Sequence, residues 1–524
     1  MNRRVCFLCV LALSGKISWA SNTFLTLPVP FLPSSIQRQT LTHDQLREYD
    51  VQPWHNFSVT LFGTQTNDSD KIARYFLPNE QTSIRVGELG SEMVNNHSVD
   101  VIANYFDILT GDRIETGQIF NTVNTWTFES NVSFCPKQTI CGMGLLYHQH
   151  LSQHRDRGFW LELAMPIMAI RNDLHMCEWT MTPGGPNGDD PQTAPSFFVD
   201  KVNAYHNMTA AFKSSHFKYG KIDCNVYREF KIGVPHLEIG GGYTYFRRSA
   251  YHLSSYIGAL IATGNTPDAR YLFETVVGNN GKTGFFLGSQ GGIKVWEHGT
   301  NFLTFDFESM WAVYLPNNQI RSIDLRGKPW GRYIWVYTGP CTTASMKPGI
   351  NSMTKTVSVA HVSTLDLNLA SVYNTEHFQC EFGFHTYVRS HEKVCLARSV
   401  CGSPALAALW YNNDDFILPA SQKASRSNAT INSFRDVIND VKNFEKQGPG
   451  TGNDAYLPIN NCQFDLDSAT CPAITMGTIY AGIGYGWYNA RCPVVIGIGG
   501  GYEFGDGNAS VDRMHLWGKL SVAF

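Results

Sequence analysis

The last eleven residues, Met514-His-Leu-Trp-Gly-Lys-Leu-Ser-Val-Ala-Phe524, alternate with the period of an extended strand. Met514, Leu516, Gly518, Leu520, Val522 and Phe524 share one face, and His515, Trp517, Lys519, Ser521 and Ala523 share the other, because strand side chains repeat every two residues. One face is apolar and the other mixed polar and small. The apolar face runs to the final residue, with no polar tail and no turn. An edge strand of a soluble β protein is the competing reading, but such a sheet rarely ends on an apolar strand that reaches the carboxylate.

The opposite end reads as an export signal. Arg3 and Arg4 precede the apolar run 5–13, and Ser18-Trp19-Ala20 offers a small-x-small cleavage site, the three parts of a secretory signal peptide. The run is too short to cross a bilayer as a helix. Neither Cys6 nor Cys9 follows the small residue that a lipoprotein signal needs. The mature chain is expected to begin near Ser21.

Composition narrows the class. Charged residues make up 16 % of the 524 and the net charge is −3, which gives no footing for a nucleic-acid partner. Glycine (46) and aromatics (13 %) are both high, a combination typical of barrel strands. No run of 18 or more apolar residues follows the signal, so any membrane crossing is by strands. Eleven of the 13 cysteines lie beyond the signal. An oxidising compartment permits disulfides there, with Cys395/Cys401 and Cys462/Cys471 as easy pairs, and the odd total leaves one thiol over.

Strand patterns recur along the chain. Leu303, Phe305 and Phe307 alternate with Thr304, Asp306 and Glu308; Ile479, Ala481, Ile483 and Tyr485 alternate with Tyr480, Gly482, Gly484 and Gly486; Val494, Ile496 and Ile498 alternate with Gly497 and Gly499. Further candidates lie at 57–64, 84–107, 124–135, 139–151, 158–170, 236–247, 252–263, 283–296, 319–326, 331–338, 356–372 and 377–389, for a total of roughly 14 to 18 strands. Short connections (489–493, 373–376, 248–251) alternate with long ones (172–235, 264–282, 339–355, 390–473), as barrel strands in a membrane require. Short helices are expected near 199–213 and 431–445.

Several motifs reduce to bland readings. Gly278-Asn-Asn-Gly-Lys-Thr283 lacks the first glycine of a phosphate loop, since Val276 stands there, and precedes a strand, so it reads as a turn. Gly240–Gly242 and Gly499–Gly501 sit inside alternating strands and make no dinucleotide fingerprint; inward glycines leave room for lumen side chains. His148, His150 and His154 could chelate a metal, but rim or lumen histidines account for them, and no metal is expected. No G-x-S-x-G is present, and His391-Glu392 lacks the second histidine of a zinc protease, so no catalytic site and no cofactor are assigned. The seven Asn-x-Ser/Thr sequons are chance matches of a chain rich in those residues.

The C-terminal strand, with Gly518, Leu520, Val522 and Phe524 as its barrel-closing signal, resembles that of porin-like outer-membrane β-barrel proteins of Gram-negative bacteria. Gly518 stands one residue early against the family pattern, which would place glycine at Lys519. The resemblance implies an all-β fold: a closed antiparallel transmembrane barrel over 51–524, preceded by a signal peptide (1–20) and an N-terminal periplasmic or lumen segment (21–50). It implies location in the outer membrane, with lipid, the barrel assembly machinery and small solutes as partners, and leaves open a homo-oligomer or disulfide-linked envelope partners. Passive passage of small solutes with a weak cation preference is the function implied. Pore-lining candidates, all on polar strand faces, are Glu238, Lys294, Asp306, Glu308, Asp366, Glu381, His385 and Arg389. A structural or adhesive surface protein anchored by its barrel is the first alternative, and a barrel enzyme the second.

Overall fold

The computed structural model describes residues 22–28, 55–67, 70–77, 80–87, 129–151, 157–182, 207–213, 215, 217–248, 250–326, 330–333, 335–337, 346–398, 405–406, 459, 461–488 and 491–524. Its main sheet has 13 strands, and all but the short Lys231–Gly233 form one ring. In chain order the ring strands are β1 (His55–Thr66), β2 (Lys137–His150), β3 (Gly158–Asp173), β4 (His236–Arg248), β5 (Tyr251–Ala262) and β6 (Gly284–His298). They continue with β7 (Asn301–Tyr314), β8 (Val362–Asn374), β9 (Phe378–Arg389), β10 (Ile474–Trp487), β11 (Val494–Gly505) and β12 (Arg513–Ala523). Each pairs antiparallel with its predecessor and successor, and β1 pairs with β12 to shut the ring.

The closing strand behaves as its alternation requires. Phe57 faces Val522, Val59 faces Leu520 and Leu61 faces Gly518 across one edge, while Ile496 faces Leu520 across the other. Leu61, Ile257, Phe382, Ile498 and Leu516 stand exposed on the outside, while Ser58, Thr60, His515, Trp517 and Lys519 are buried inside. Phe305, Ile483, Ile496 and Leu520 point outward, and Asp306 and Glu308 inward. Closure leaves no free edge, so backbone groups are satisfied within the wall. No described helix is long and apolar enough to cross a membrane.

The ring has fewer strands than the pattern suggested. Thr354–Val359 pairs with Asn317–Ser322 on one side and Val394–Leu396 on the other in a separate small sheet. Ser83–Gly87 and Glu129–Phe134 pair in another, and Trp335–Tyr337 in a third. The expected strand 356–372 divides between a small sheet and β8. Alternation reports one buried face; it does not say whether lipid or protein lies against it.

At one end of the ring, which carries Phe524, the connections are short: 151–157, 249–250, 299–300, 375–377 and 488–493. At the other end five of six are long: 67–136, 174–235, 263–283, 315–361 and 390–473. The described parts of these connections fold together into a cap. Its apolar core draws Phe76 from the helix Asp70–Phe76, Phe212 from the helix Met208–Phe212, and Phe273, Trp330, Val357 and Phe464 from other connections. The helix expected near 431–445 lies outside the described residues.

The described part of the N-terminal segment, Asn22–Pro28, is built into this cap. Leu25 and Leu27 join its core. Thr23 donates to the Ser322 and Ser468 carbonyls at 2.5 and 3.2 Å, and the Thr26 hydroxyl donates to Asn280 Oδ1 at 2.9 Å. The Arg321 guanidinium lies 3.7 Å from the Phe24 ring centroid.

Candidate functional site: the barrel interior

Six inward aromatic side chains face a glycine directly across a strand pair: Phe62 and Gly142, Trp160 and Gly242, Tyr256 and Gly288, Phe286 and Gly258, Tyr480 and Gly383, Trp517 and Gly499. In each pair the ring lies beside the place a glycine Cβ would occupy. The rings therefore lie along the wall over the neighbouring strand, instead of standing across the axis. This is the specific work of the glycine clusters. Trp160, Tyr256 and Phe286 form one ladder, with successive ring centroids 5.9 and 6.0 Å apart.

Polar groups gather on the wall from β5 to β10. Tyr256 donates to Glu308 Oε1 at 2.9 Å, Thr304 to Asp306 Oδ2 at 2.9 Å, and Tyr480 to Asn368 Oδ1 at 3.0 Å. His385 Nε2 meets Asp366 Oδ1 at 3.1 Å. Asp306 lies within electrostatic reach of Glu381, and both Glu308 and Glu381 within reach of Tyr480.

Three titratable side chains face the interior from strands spread around the ring. Glu162 on β3 and Glu381 on β9 come from strands six places apart in the ring, which are diametrically opposed. Lys519 on β12 is three strands from each and interacts electrostatically with both. Glu162 also meets His148 Nδ1 at 3.4 Å. Glu162, Glu381 and Lys519 are 7 %, 3 % and 4 % exposed.

Beneath the cap the interior ends in a second set of ions. Arg513 Nε donates to Glu503 Oε1 at 2.6 Å, and its Nη1 reaches Gln138 Oε1 at 3.0 Å and the Pro28 carbonyl at 3.3 Å. Arg389 Nη1 donates to the Thr26 carbonyl at 2.9 Å. Above it, in the cap, Arg321 Nη1 holds Glu392 Oε2 at 2.7 Å and Lys282 Nζ stands 3.7 Å from Glu392 Oε1. Burial would raise the Glu392 carboxyl, but Arg321, Lys282 and Arg389 together hold it down at about 2. Burial also lowers Lys282 to about 8, against the pull of Glu392. Lys282 donates to the Ala360 carbonyl at 3.1 Å, and Gly278 and Gly281 have left-handed φ of 93° and 70°. That segment is a turn with its ammonium already engaged.

Of the sequence-derived candidates, Asp306, Glu308, Asp366, Glu381 and His385 come together on one wall. Glu238 stands near the cap end, 4.0 Å from His236. Lys294 folds towards Glu297 at 3.3 Å near the short-turn end, and Arg389 is tied to the N-terminal segment. Glu162, Glu503 and Arg513 were not among the candidates, although each sits on the polar face of a clean alternation. Cys471 is buried and Cys462 exposed, both with free thiols, and no disulfide occurs among the described residues. Cys401 and His154 lie outside them.

The decisive observation is the contrast between the two faces of a closed ring: apolar and exposed outside, charged and buried inside. This chain folds as a closed 12-strand β-barrel with a lipid-type outer face. No protein-family model matches it, and no curated protein does. Among solved structures, an outer-membrane channel from Pseudomonas putida F1 is similar at 7 % identity, covering 91 % of this chain and 98 % of that one, with a TM-score of 0.38. The CymD monoaromatic hydrocarbon channel is similar at 8 % identity, covering 92 % and 93 %, with a TM-score of 0.26. A Pseudomonas aeruginosa FadL homologue is similar at 6 % identity, covering 90 % and 89 %, with a TM-score of 0.28.

Proposed function

We propose that this barrel is a narrow outer-membrane channel for small polar solutes, with its short turns in the periplasm and its cap outside. The observation that carries the reading is the concentration of acidic, basic and hydrogen-bonding side chains inside the ring, from Glu162 and Glu381 to Asp366 and Arg513. An inert anchor gains nothing from them, because burying charge costs stability that apolar packing would provide. Carboxylates from Glu162, Glu238, Asp306, Glu308, Asp366, Glu381 and Glu503 outnumber the inward cations Lys294, Arg389, Arg513 and Lys519. Their summed potential favours cations over anions. A signal peptide ending near Ala20 would deliver the chain to the periplasm.

The cap favours a second reading. Its core ties together long connections from around the mouth, as a surface-exposed structural or adhesive domain would. Swelling of proteoliposomes in small polyols and amino acids separates the two. The channel reading expects swelling that falls steeply with solute size. Folded, heat-modifiable protein that gives no swelling with any solute would make the barrel an anchor.

A further inference from the structure

Asn22–Pro28 is held from several sides of the ring. Its Thr26 carbonyl accepts from Arg389 Nη1 at 2.9 Å, at the cap end of β9. Its Pro28 carbonyl accepts from Arg513 Nη1 at 3.3 Å, at the cap end of β12. Both guanidiniums are on the inner, buried face of the wall. The other contacts come from four different connections. The Phe24 carbonyl accepts the Tyr75 hydroxyl at 2.8 Å from the β1–β2 connection, and the Thr26 hydroxyl reaches Asn280 at 2.9 Å in the β5–β6 connection. The Thr23 hydroxyl reaches the Ser322 carbonyl between β7 and β8, and the Thr26 N–H donates to Cys471 Sγ at 3.3 Å between β9 and β10. In the ring β6 and β12 are six places apart, on opposed sides. A chain bound at residue 26 from the β6 side and at residue 28 from β12 lies over the axis of the ring. Residues 23–28 are all buried, yet 22–28 form no strand, so side chains and not a sheet ladder hold the segment.

We propose that Asn22–Pro28 is a strap that closes the cap end of the barrel interior, that Arg389 and Arg513 are its latches, and that solutes pass when it leaves them. Both latches donate to neutral carbonyls, so water or a passing solute replaces the strap as acceptor and no donor is stranded. The Glu503 carboxylate stays with Arg513 throughout. The ring itself keeps every ladder when the strap moves, because the strap belongs to none of them. The gating arm of this proposal rests on the channel reading, whereas the seating of the strap is tested without it.

Cys471 supplies a lock for the test. Its sulfur already accepts the Thr26 N–H, so Thr26→Cys places a second thiol beside it. Diamide, which takes up the two thiol hydrogens, should join the pair in the folded variant, as read by peptide mapping; Thr26→Cys/Cys471→Ser is the control. In planar bilayers wild type should open intermittently. The oxidised lock should stay shut, and dithiothreitol should restore its openings. Deletion of 22–28 should raise mean conductance several-fold with the barrel still heat-modifiable. Arg389→Met, which removes one latch, serves if the deletion variant does not fold. Thiols that fail to join, or a locked protein that opens as often as wild type, would overturn the strap and leave the channel standing. Joined thiols with no conductance from any folded variant would support the seating of the strap and overturn the channel.

Discussion

Trp160 on β3 stands directly opposite Gly242 on β4, and its indole occupies the space where a side chain at 242 would begin. The pair fixes the ring against the wall, so a branched side chain at 242 must push it into the lumen. Overpacking of this kind costs about 1–3 kcal/mol. Gly242→Val should lower the urea midpoint of the folded barrel accordingly. Gly63→Val is the matched control: a Cβ there meets nothing within 4 Å, and its effect should stay within about 0.5 kcal/mol. Equal losses at both positions would remove the special role of the glycine–aromatic pairs.

The lipid face makes a depth-dependent prediction. Leu516 and Leu520 are 70 % and 45 % exposed on the outer face of β12, and Met514 lies near its cap end. Arginine on the lipid face costs about 2–4 kcal/mol near the midplane and about 0–1 near the interface. Leu516→Arg and Leu520→Arg should therefore impair refolding into lipid vesicles, while Met514→Arg should refold nearly as wild type. Similar yields for all three would place this face away from lipid.

Much of this architecture was legible because lipid imposes a period of two. The faces of β12, the first strand near 57–64, and inward Asp306, Glu308 and Glu381 followed from alternation alone. Strand number did not. Segments such as 319–326 and 356–359 alternate equally well, but their apolar face packs into the cap core, and pattern cannot distinguish that burial from lipid contact. The placement of Glu162 and Glu381 on opposed walls was also hidden. Each residue is visible on a polar face, but that β3 and β9 oppose one another depends on a ring size that periodicity left open. The docking of Asn22–Pro28 in the cap has no periodic signal.

Glu392 should make the cap acid-labile. Its folded carboxyl titrates near about 2 against an ordinary 4.5. The stabilisation is thus complete above the ordinary value and is lost as pH falls from 4.5 towards about 2. A shift of this size corresponds to about 3 kcal/mol. Fluorescence of the buried Trp330 should report cap loosening across that window, with the barrel band still heat-modifiable. Glu392→Gln should be looser at neutral pH and flatter through the same window. A variant whose acid profile matches wild type would contradict this role.

Phe24 should tie the N-terminal segment to the cap. It is 6 % exposed beneath the Arg321 guanidinium, and truncating a buried phenylalanine costs about 3–5 kcal/mol. In Phe24→Ala, the long connections should be cut by protease faster than in wild type, while the strands of the ring remain protected. Unchanged cleavage would show that the cap holds without the segment.

The most direct measurement of the central claim is the reversal potential of the purified, refolded protein in planar bilayers across a KCl gradient. The carboxylate-rich lumen predicts a modest preference for K⁺ over Cl⁻. That preference should weaken at high salt, because the screening length falls from about 10 Å at 0.1 M to about 3 Å at 1 M. Clear anion selectivity, or no conductance from fully folded protein, would contradict the account.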